Sequence, residues 1–287
     1  MLARRETLCL MAAMTRRPKL EDLIALTLAA GREIMAVREA GFEASSKGDG
    51  SPVTIADQRA EALIEAGLAK LLPGVPMVGE ESVSEGRIPD PGALFFCVDP
   101  IDGTRDFVAG GAEFTANIAL VENGAPVMGV VLAPASGELY AGEPGRALRG
   151  VFNADGSPRL ALAPIAPAHA KPAEGWRVVA SRHSGKNSET ADFANALGPH
   201  TLKKVSSSIK LCRLAEGEAD LYPRFGDVNE WDIAAGHAIL AAVGGDVMML
   251  DGSPIRYGGR NGSFLVHGFI AFANAAAASA ARDAMQR

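Results

Sequence analysis

Asp99-Pro100-Ile101-Asp102-Gly103-Thr104 joins two carboxylates, three positions apart, to a proline, a glycine and a hydroxyl. Carboxylate and carbonyl oxygens converging on a tight turn suit a hard cation such as Mg²⁺. Pro100 fixes one backbone dihedral between the acids and removes a donor. Gly103 can adopt a conformation closed to other residues. Thr104 supplies a hydroxyl and an N–H where a helix can begin, and a helix start also binds phosphate. The bland reading is an Asp-rich turn.

Three further acids occupy comparable places. Asp57 lies three residues after Thr54, as in a capping box with Asp in the Glu position. Taken alone it is a first-turn carboxylate serving the helix dipole. Glu80 follows a short apolar piece and precedes Glu81, and adjacent acids are usually solvated. Asp232 opens an apolar helix, an ordinary position for Asp. Each is weak by itself. Together, in this order, they supply what a two-metal phosphatase needs, in which one ion activates water and the other stabilises the leaving oxygen.

The elements that must position these groups follow from periodicity. Residues 93–98 form an apolar run that reads as a buried strand ending at Asp99. Helical spacing predicts helices over 20–40 and from Thr54 to the Pro73-Gly74 stop. Residues 47–52 read as a flexible polar loop. Strands are expected over 114–122, 127–132 and 137–141, with a hairpin at Asn123-Gly124. The Ala- and Pro-rich stretch 153–175 reads as a linker. Beyond it, strands (176–180, 202–205, 219–222, 247–250, 269–273) alternate with helices (188–197, 208–216, 232–243, 275–286). Ser206 or Ser207 is the expected cap of the second of these helices, and Asn274 of the last. Such alternation predicts an α/β layer architecture, α+β in its N-terminal half. The expected division is an extension over 1–19, a domain over 20–165 carrying the metal-binding motifs, and a domain over 166–287 carrying substrate-side residues.

Composition narrows the function. The chain has 287 residues, 48% of them hydrophobic, enough for a real core, and no apolar run of membrane-spanning length. A formal charge of −6 argues against general nucleic-acid binding. A small polyanion stays admissible where a metal and a few cations neutralise it locally. Cys9, Cys97 and Cys212 share no close spacing, which points to a reducing compartment and to no thiolate metal site. The first residues carry Arg4, Arg5 and a short apolar piece with a poor cleavage context, so a disordered extension or a start placed too far upstream is expected rather than a signal peptide.

The Asp99–Thr104 stretch and a second signature, Trp231-Asp232-Ile233-Ala234-Ala235-Gly236, resemble the lithium-sensitive, Mg²⁺-dependent phosphomonoesterases of the inositol monophosphatase superfamily. Gly79-Glu80-Glu81 supports the resemblance, which covers about residues 47–245. It implies a layered α-β-α-β-α sandwich of the inositol monophosphatase/fructose-1,6-bisphosphatase type. It also implies two or three Mg²⁺ ions on Glu80, Asp99, Asp102, Asp232 and the backbone carbonyl of Ile101. Asp57 and Thr104 would orient and deprotonate the attacking water, and the N–H groups of Gly103 and Thr104 would hold the phosphate.

The second half resembles the CysQ-type bacterial 3′(2′),5′-bisphosphate nucleotidases. The matching stretches are Val179-Ala180-Ser181-Arg182-His183-Ser184, Ser206-Ser207-Ser208-Ile209-Lys210 and residues 215–224. On that resemblance His183, Ser207, Lys210 and Arg224 line the nucleotide side of the cleft, with Lys210 and Arg224 suited to a second phosphate. The bland alternatives are a surface loop residue for His183 and an exposed helix charge for Lys210. One departure is Gly226-Asp227-Val228-Asn229-Glu230, where the family pattern has Gly-Pro-Thr or similar; Asp227 would add negative charge near the metals. The implied reaction is hydrolysis of adenosine 3′,5′-bisphosphate to AMP and phosphate, in sulfur assimilation and nucleotide recycling. The implied partner is a small bisphosphate nucleotide, with no nucleic acid and no transmembrane segment. A homodimer, and a cytoplasmic location with peripheral placement at the inner membrane left open, complete the expectation. The competing readings are the same chemistry on inositol phosphate, histidinol phosphate or a sugar bisphosphate, and a non-catalytic metal- or nucleotide-binding module.

Overall fold

The computed structural model describes residues 17–48, 50–166, 173–182, 185–259 and 263–286. Helix α1 (Leu20–Ala40) buries Leu20, Leu23, Ile24, Ala30, Ile34 and Val37, the three-and-four spacing of one helix face. Strands β1 (Ala44–Ser46) and β2 (Pro52–Thr54) pair as an antiparallel hairpin around the polar loop. Helix α2 (Ile55–Leu71) follows directly, so Thr54 is at once strand end and helix cap. Then come β3 (Met77–Gly79), α3 (Glu80–Ser84), β4 (Leu94–Asp102) and the single turn α4 (Thr104–Val108). A meander of β5 (Thr115–Glu122), β6 (Ala125–Ala133), β7 (Glu138–Glu143), β8 (Arg146–Phe152) and β9 (Pro158–Pro164) completes a seven-stranded sheet in the order β3 to β9. Asn123 and Gly124 both have positive φ, as the hairpin between β5 and β6 demands.

The second half supplies β10 (Trp176–Ser181), α5 (Asn187–Ala196), β11 (His200–Val205), α6 (Ile209–Ala215), β12 (Leu221–Arg224), β13 (Val228–Asn229), α7 (Glu230–Ala242), β14 (Asp246–Met249), β15 (Leu265–Val266), β16 (Phe269–Phe272) and α8 (Ala275–Met285). Its main sheet has the order β11-β10-β12-β16-β14. The first three strands are parallel, and β16 runs antiparallel to both of its neighbours. The Asn274 side chain accepts from Ala277 N–H, capping α8 as expected.

Alternation along β4 explains the layers. Phe96 and Val98 pack with Leu20, Leu23, Ile64 and Leu68 of α1 and α2. Phe95 and Cys97 face the other way, into a core shared with Leu211 of α6 and Trp231, Ile233 and Ile239 of α7. That core continues onto the second sheet through Tyr222, Val247, Phe269 and Ala271. The far side of the second sheet is covered by Phe193 of α5 and Ala277, Ala278 and Ala281 of α8. The order is therefore α-β-α-β-α, the layered sandwich that the sequence implies. Helix α7 is buried on nearly every side, as a helix without a polar face must be. It lies very close to the first sheet: a β-carbon at Gly129 would stand 2.2 Å from the carbonyl of Ala235. Substituting Gly129 would push α7 away and move Asp232 with it.

Three expectations need correction. The supposed linker 153–175 contains β9, which pairs antiparallel with β8. A proline opens this strand and another closes it, which is tolerable because β9 is an edge strand with one side unpaired. Helix α7 begins at Glu230, two residues before Asp232, because Asn229 is its N-cap. Helix α6 is preceded by Ser208 in the cap position; neither Ser206 nor Ser207 caps it, and the Ser208 hydroxyl is used elsewhere. Of the extension over 1–19 only residues 17–19 are described, and Arg17 pairs with Glu122.

Candidate active site

On a regular strand, residues three apart point to opposite faces. Asp99 pairs with Asn117 but Asp102 with Thr115, so β4 holds one residue more than β5 across this interval. The extra residue is a bulge within Pro100-Ile101, and the proline there has no N–H to give the ladder. The bulge turns both acids to one side. There, Asp99, Asp102 and Asp232 bring carboxylate oxygens within 4.8 Å of one another. Asp232 arrives from the first turn of α7, its Oδ2 accepting the Asn229 N–H at 3.0 Å.

Asp99 is fully buried, and neither of its carboxylate oxygens has a hydrogen-bond donor among the described residues. Two orphaned buried acceptors facing other carboxylates are costly without a cation. The donor set is all oxygen, the set a hard divalent ion takes. These residues therefore fit a metal. Burial, followed by the charges of the neighbouring acids, pushes the Asp99 carboxyl well above its ordinary range. Burial and Asp102 likewise push Asp232 up to about 8. Asp102 rises only to about 6, because burial is opposed by Lys210 and by the N–H of Ser208.

Glu80 opens α3 at the end of β3. Its Oε1 accepts from Lys47 Nζ at 2.7 Å, and the same ammonium reaches Glu81 Oε1 at 2.7 Å. Burial works against the Lys47 charge, but Glu80 overcomes it and holds the ammonium protonated. Burial pushes Glu81 up to about 7, against the pull of Lys47. The α3 start is anchored by buried Glu61, whose oxygens accept the N–H groups of Glu81 and Ser82, each at 2.8 Å.

Asp57 caps its helix and also reaches Thr104. Its Oδ2 accepts from Thr54 N–H at 2.8 Å and Thr54 Oγ1 at 2.7 Å, which is the helix cap. Its Oδ1 is left for Thr104 Oγ1 at 3.3 Å. The Thr104 hydroxyl also lies 2.9 Å from the Ile101 carbonyl, so its one proton has two acceptors in reach. Burial raises the Asp57 carboxyl, partly offset by the Thr54 bonds. Gly103 sits between the two halves of the motif at φ 94°, where a β-carbon would also stand 2.9 Å from the Glu113 carbonyl. No L-residue fits that turn without displacing backbone.

On the opposite side, Lys210 is 4% exposed, which overturns the surface-charge reading of it. Its ammonium lies over the Tyr222 ring, 5.1 Å from the centroid, and donates to the Ser207 carbonyl. Burial lowers it to about 8, while Asp102 acts to keep it charged. Ser207, also buried, holds φ 58°, a left-handed conformation rare for a residue with a side chain. Ser208 Oγ donates to Asn117 Oδ1 at 2.7 Å and meets Thr115 Oγ1 at 2.8 Å. Arg224 binds the carbonyls of Gly226 (3.2 Å) and Asp227 (2.8 Å). Asp227 does not join the acidic cluster: its exposed carboxylate pairs with His267 Nδ1 at 3.0 Å. His183 lies outside the described residues.

The geometry thus gathers Asp57, Thr104, Asp99, Asp102 and Asp232, with Glu80 and Lys210 in electrostatic reach. Sequence reasoning missed Lys47, Glu61 and Ser208. Glu61 had a signal, four residues after Asp57 on the buried face of α2; Lys47 and Ser208 had none beyond their loops.

Comparison with known proteins finds relatives of this chain over most of its length. The sequence model of the Inositol monophosphatase family matches residues 18–286. The chain is 39% identical over 252 residues to the 3′(2′),5′-bisphosphate nucleotidase CysQ of Shigella flexneri, covering 87% of this chain and 98% of that one. A crystal structure of CysQ from Bacteroides thetaiotaomicron superposes with a TM-score of 0.72 at 35% identity, covering 88% of this chain and 96% of its own. A Thermotoga maritima IMPase shares the fold, with a TM-score of 0.71 at 23% identity over 93% of this chain and 98% of its own.

Proposed function

The chain belongs to the inositol monophosphatase family, and from that premise we propose that it is a Mg²⁺-dependent 3′(2′),5′-bisphosphate nucleotidase that converts adenosine 3′,5′-bisphosphate to AMP and phosphate. The observation that carries the chemistry is the buried Asp99 carboxylate without a donor, joined by Asp102 and Asp232. The substrate class rests on the CysQ-type relatives and on a lysine buried beside that cluster.

Glu80, Asp99, Asp102, Asp232 and the Ile101 carbonyl would hold two or three Mg²⁺ ions. When bound, the ions acidify the attacking water and neutralise charge on the phosphoryl group and the leaving oxygen. The chain's own groups do the rest. Thr54 fixes one Asp57 oxygen, so the other is presented to Thr104 in a single orientation. Thr104 can donate to Asp57 while its oxygen accepts from water, which makes the pair a proton acceptor for the nucleophile. The tight Gly103 turn aims the N–H groups of Gly103 and Thr104 at the phosphate. Helix α4 is a single turn, so local N–H groups rather than a macrodipole do this work. Across the cleft, Lys210, Ser207 and Arg224 would receive the nucleotide and its uncleaved phosphate, a role that the resemblance extends to His183.

Phosphate release should be measured on adenosine 3′,5′-bisphosphate, phosphoadenylyl sulfate, inositol monophosphate, fructose bisphosphate and histidinol phosphate, with and without EDTA. The reading requires the adenosine bisphosphate to be turned over best and EDTA to abolish release; preference for inositol phosphate would refute the substrate assignment. Among the described residues no helix is long and apolar enough to cross a membrane. A cytoplasmic location accords with Cys97 and Cys212 both being free. A homodimer and attachment at the inner membrane rest on the resemblance alone, and light scattering and membrane fractionation test them.

A further inference from the structure

The segment between α4 and β5 carries a carboxylate, Glu113, that belongs to none of the groups assigned above, yet bonds to both sides of the cleft. Its own N–H donates to Asp106 Oδ2 at 3.0 Å, and its carbonyl backs the Gly103 turn. Its side chain leaves the first half altogether. Oε2 accepts the Ser206 N–H at 2.8 Å, and Oε1 accepts from Arg182 Nη2 at 2.9 Å. Ser206 begins the segment that carries Ser207 and Lys210, and Arg182 precedes His183 at the end of β10.

The arm that carries Glu113 is braced. Phe114 meets Phe107 edge-on at 5.1 Å between ring centroids. Arg38 of α1 lies over the Phe114 ring at 5.5 Å and donates to the Gly110 carbonyl at 2.6 Å. The carboxylate is held in its charged form. Burial would raise it, but the Ser206 N–H and Arg182 together bring it below its ordinary range. A rigid arm ending in a charged, doubly bonded carboxylate is a spacer between two sites.

We infer that Glu113 is a positioning residue that fixes the separation between the phosphate-binding turn at Gly103 and the anion pocket on the 206–210 segment, and so sets the preference for substrates with two phosphates. This rests on the nucleotidase reading and deepens it. A mononucleotide 3′-phosphate uses only the turn and the metal side. A bisphosphate must span both, so its binding depends on their spacing; a small misplacement of one anchor is felt there first.

The test compares wild type with Glu113→Ala, Glu113→Gln and Arg182→Ala on adenosine 3′,5′-bisphosphate and on adenosine 3′-monophosphate. Wild type must first hydrolyse the bisphosphate; if it does not, the nucleotidase reading fails and the role of Glu113 is not at issue. Given that, Glu113→Ala should lower kcat/KM on the bisphosphate by about ten- to a hundredfold, mostly through KM, as expected for loss of charge-assisted bonds. The loss on the monophosphate should be several-fold smaller. Glutamine keeps an acceptor for Ser206 and gives up the Arg182 pair, so Glu113→Gln should be intermediate and match Arg182→Ala. The double variant should then be no worse than either single one. Calorimetric titration with AMP, the product that keeps the uncleaved phosphate, should show the same order of weakening. If Glu113→Ala unfolds, Glu113→Gln decides. Equal losses on both substrates would make Glu113 a support of the catalytic turn, and no loss on either would make it an ordinary surface bridge; each outcome overturns the inference.

Discussion

Asp99→Asn should make the metal-free protein more stable while destroying its activity. Asp99 is fully exposed to neighbouring charge and to no solvent. The carboxyls of Asp99, Asp102 and Asp232 all ionise above their ordinary range when folded, because burial and mutual repulsion oppose the charged form. The sign follows from linkage. A group whose folded pKa is raised stabilises the fold below its unfolded pKa and loses that stability as pH rises through the folded value. The window is therefore set by Asp102 at about 6 and Asp232 at about 8. For a single acid moved as far as Asp232, from 3.8 to about 8, the full effect is about 6 kcal/mol at about 1.4 kcal/mol per pH unit. The three acids share one repulsion, so deleting one charge should recover roughly half of that, about 3 kcal/mol. An amide in that place also offers two donors to the neighbouring carboxylates. For a chain of this size the gain corresponds to a rise of about 5 °C or more in Tm.

The assay is thermal unfolding of wild type and Asp99→Asn in EDTA at pH 8 and pH 5, repeated in Mg²⁺. In EDTA at pH 8 the variant should melt higher; at pH 5, only about one unit above the ordinary carboxyl value, the difference should shrink to about a third. Mg²⁺ should raise the wild-type Tm and scarcely move the variant. Turnover at saturating Mg²⁺ should fall by at least about a hundredfold, the scale of losing preorganised charge at a reacting phosphate. A variant that melts lower than wild type at pH 8 without metal, or that keeps near wild-type turnover, would refute the reasoning.

Other expectations follow from the same geometry. Thr104→Ala should lose about 10²–10⁴-fold in kcat with a smaller change in KM, because the proposed phosphate donors are backbone groups; a large KM effect at unaltered kcat would contradict its proposed role beside Asp57. Lys210→Met, which keeps the buried stem, should lower kcat/KM on adenosine 3′,5′-bisphosphate by about ten- to a hundredfold and on a 3′-mononucleotide by much less; equal losses would assign Lys210 to the metal side, where Asp102 already faces it. LiCl should inhibit, with NaCl of equal ionic strength as the control, because Li⁺ can replace Mg²⁺ among carboxylates at similar size and lower charge; insensitivity to high LiCl would separate this chain from the lithium-sensitive phosphatases.

How much of this was legible in the sequence depends on where the information lies. The strand that carries Asp99, the capping-box relation of Thr54 and Asp57, and the helix carrying Asp232 are local patterns, and local patterns are readable, though the strand runs on to Asp102. The bulge was not, since two acids three apart on a strand should diverge, and only the pairing with β5 shows that they do not. Strand β9 was hidden because its prolines and alanines look like a linker; an edge position excuses them, and edge position is a property of the sheet. The burial of Lys210 was invisible for a related reason. Its helix is short, and its surroundings come from Tyr222 and from the acid cluster of the other half.

The last of these points shows how the two halves become one site. Residues 206–210 face both. Ser206 N–H is taken by Glu113 and Ser208 Oγ meets Thr115 Oγ1, so the segment is pinned to the first half at two places, two residues apart. Ser208 Oγ adds a bond to Asn117, which pairs with Asp99 across the sheet. Between the pins, Ser207 is driven into the left-handed region, and its carbonyl accepts from Lys210. A strained residue persists where its surroundings over-determine it, and here the surroundings are the Thr115 and Asn117 bonds on one side and the Glu113 arm on the other. The cation that would meet the second phosphate is thus placed by a segment that the first half pins, which would tie substrate length to the position of the reacting phosphate.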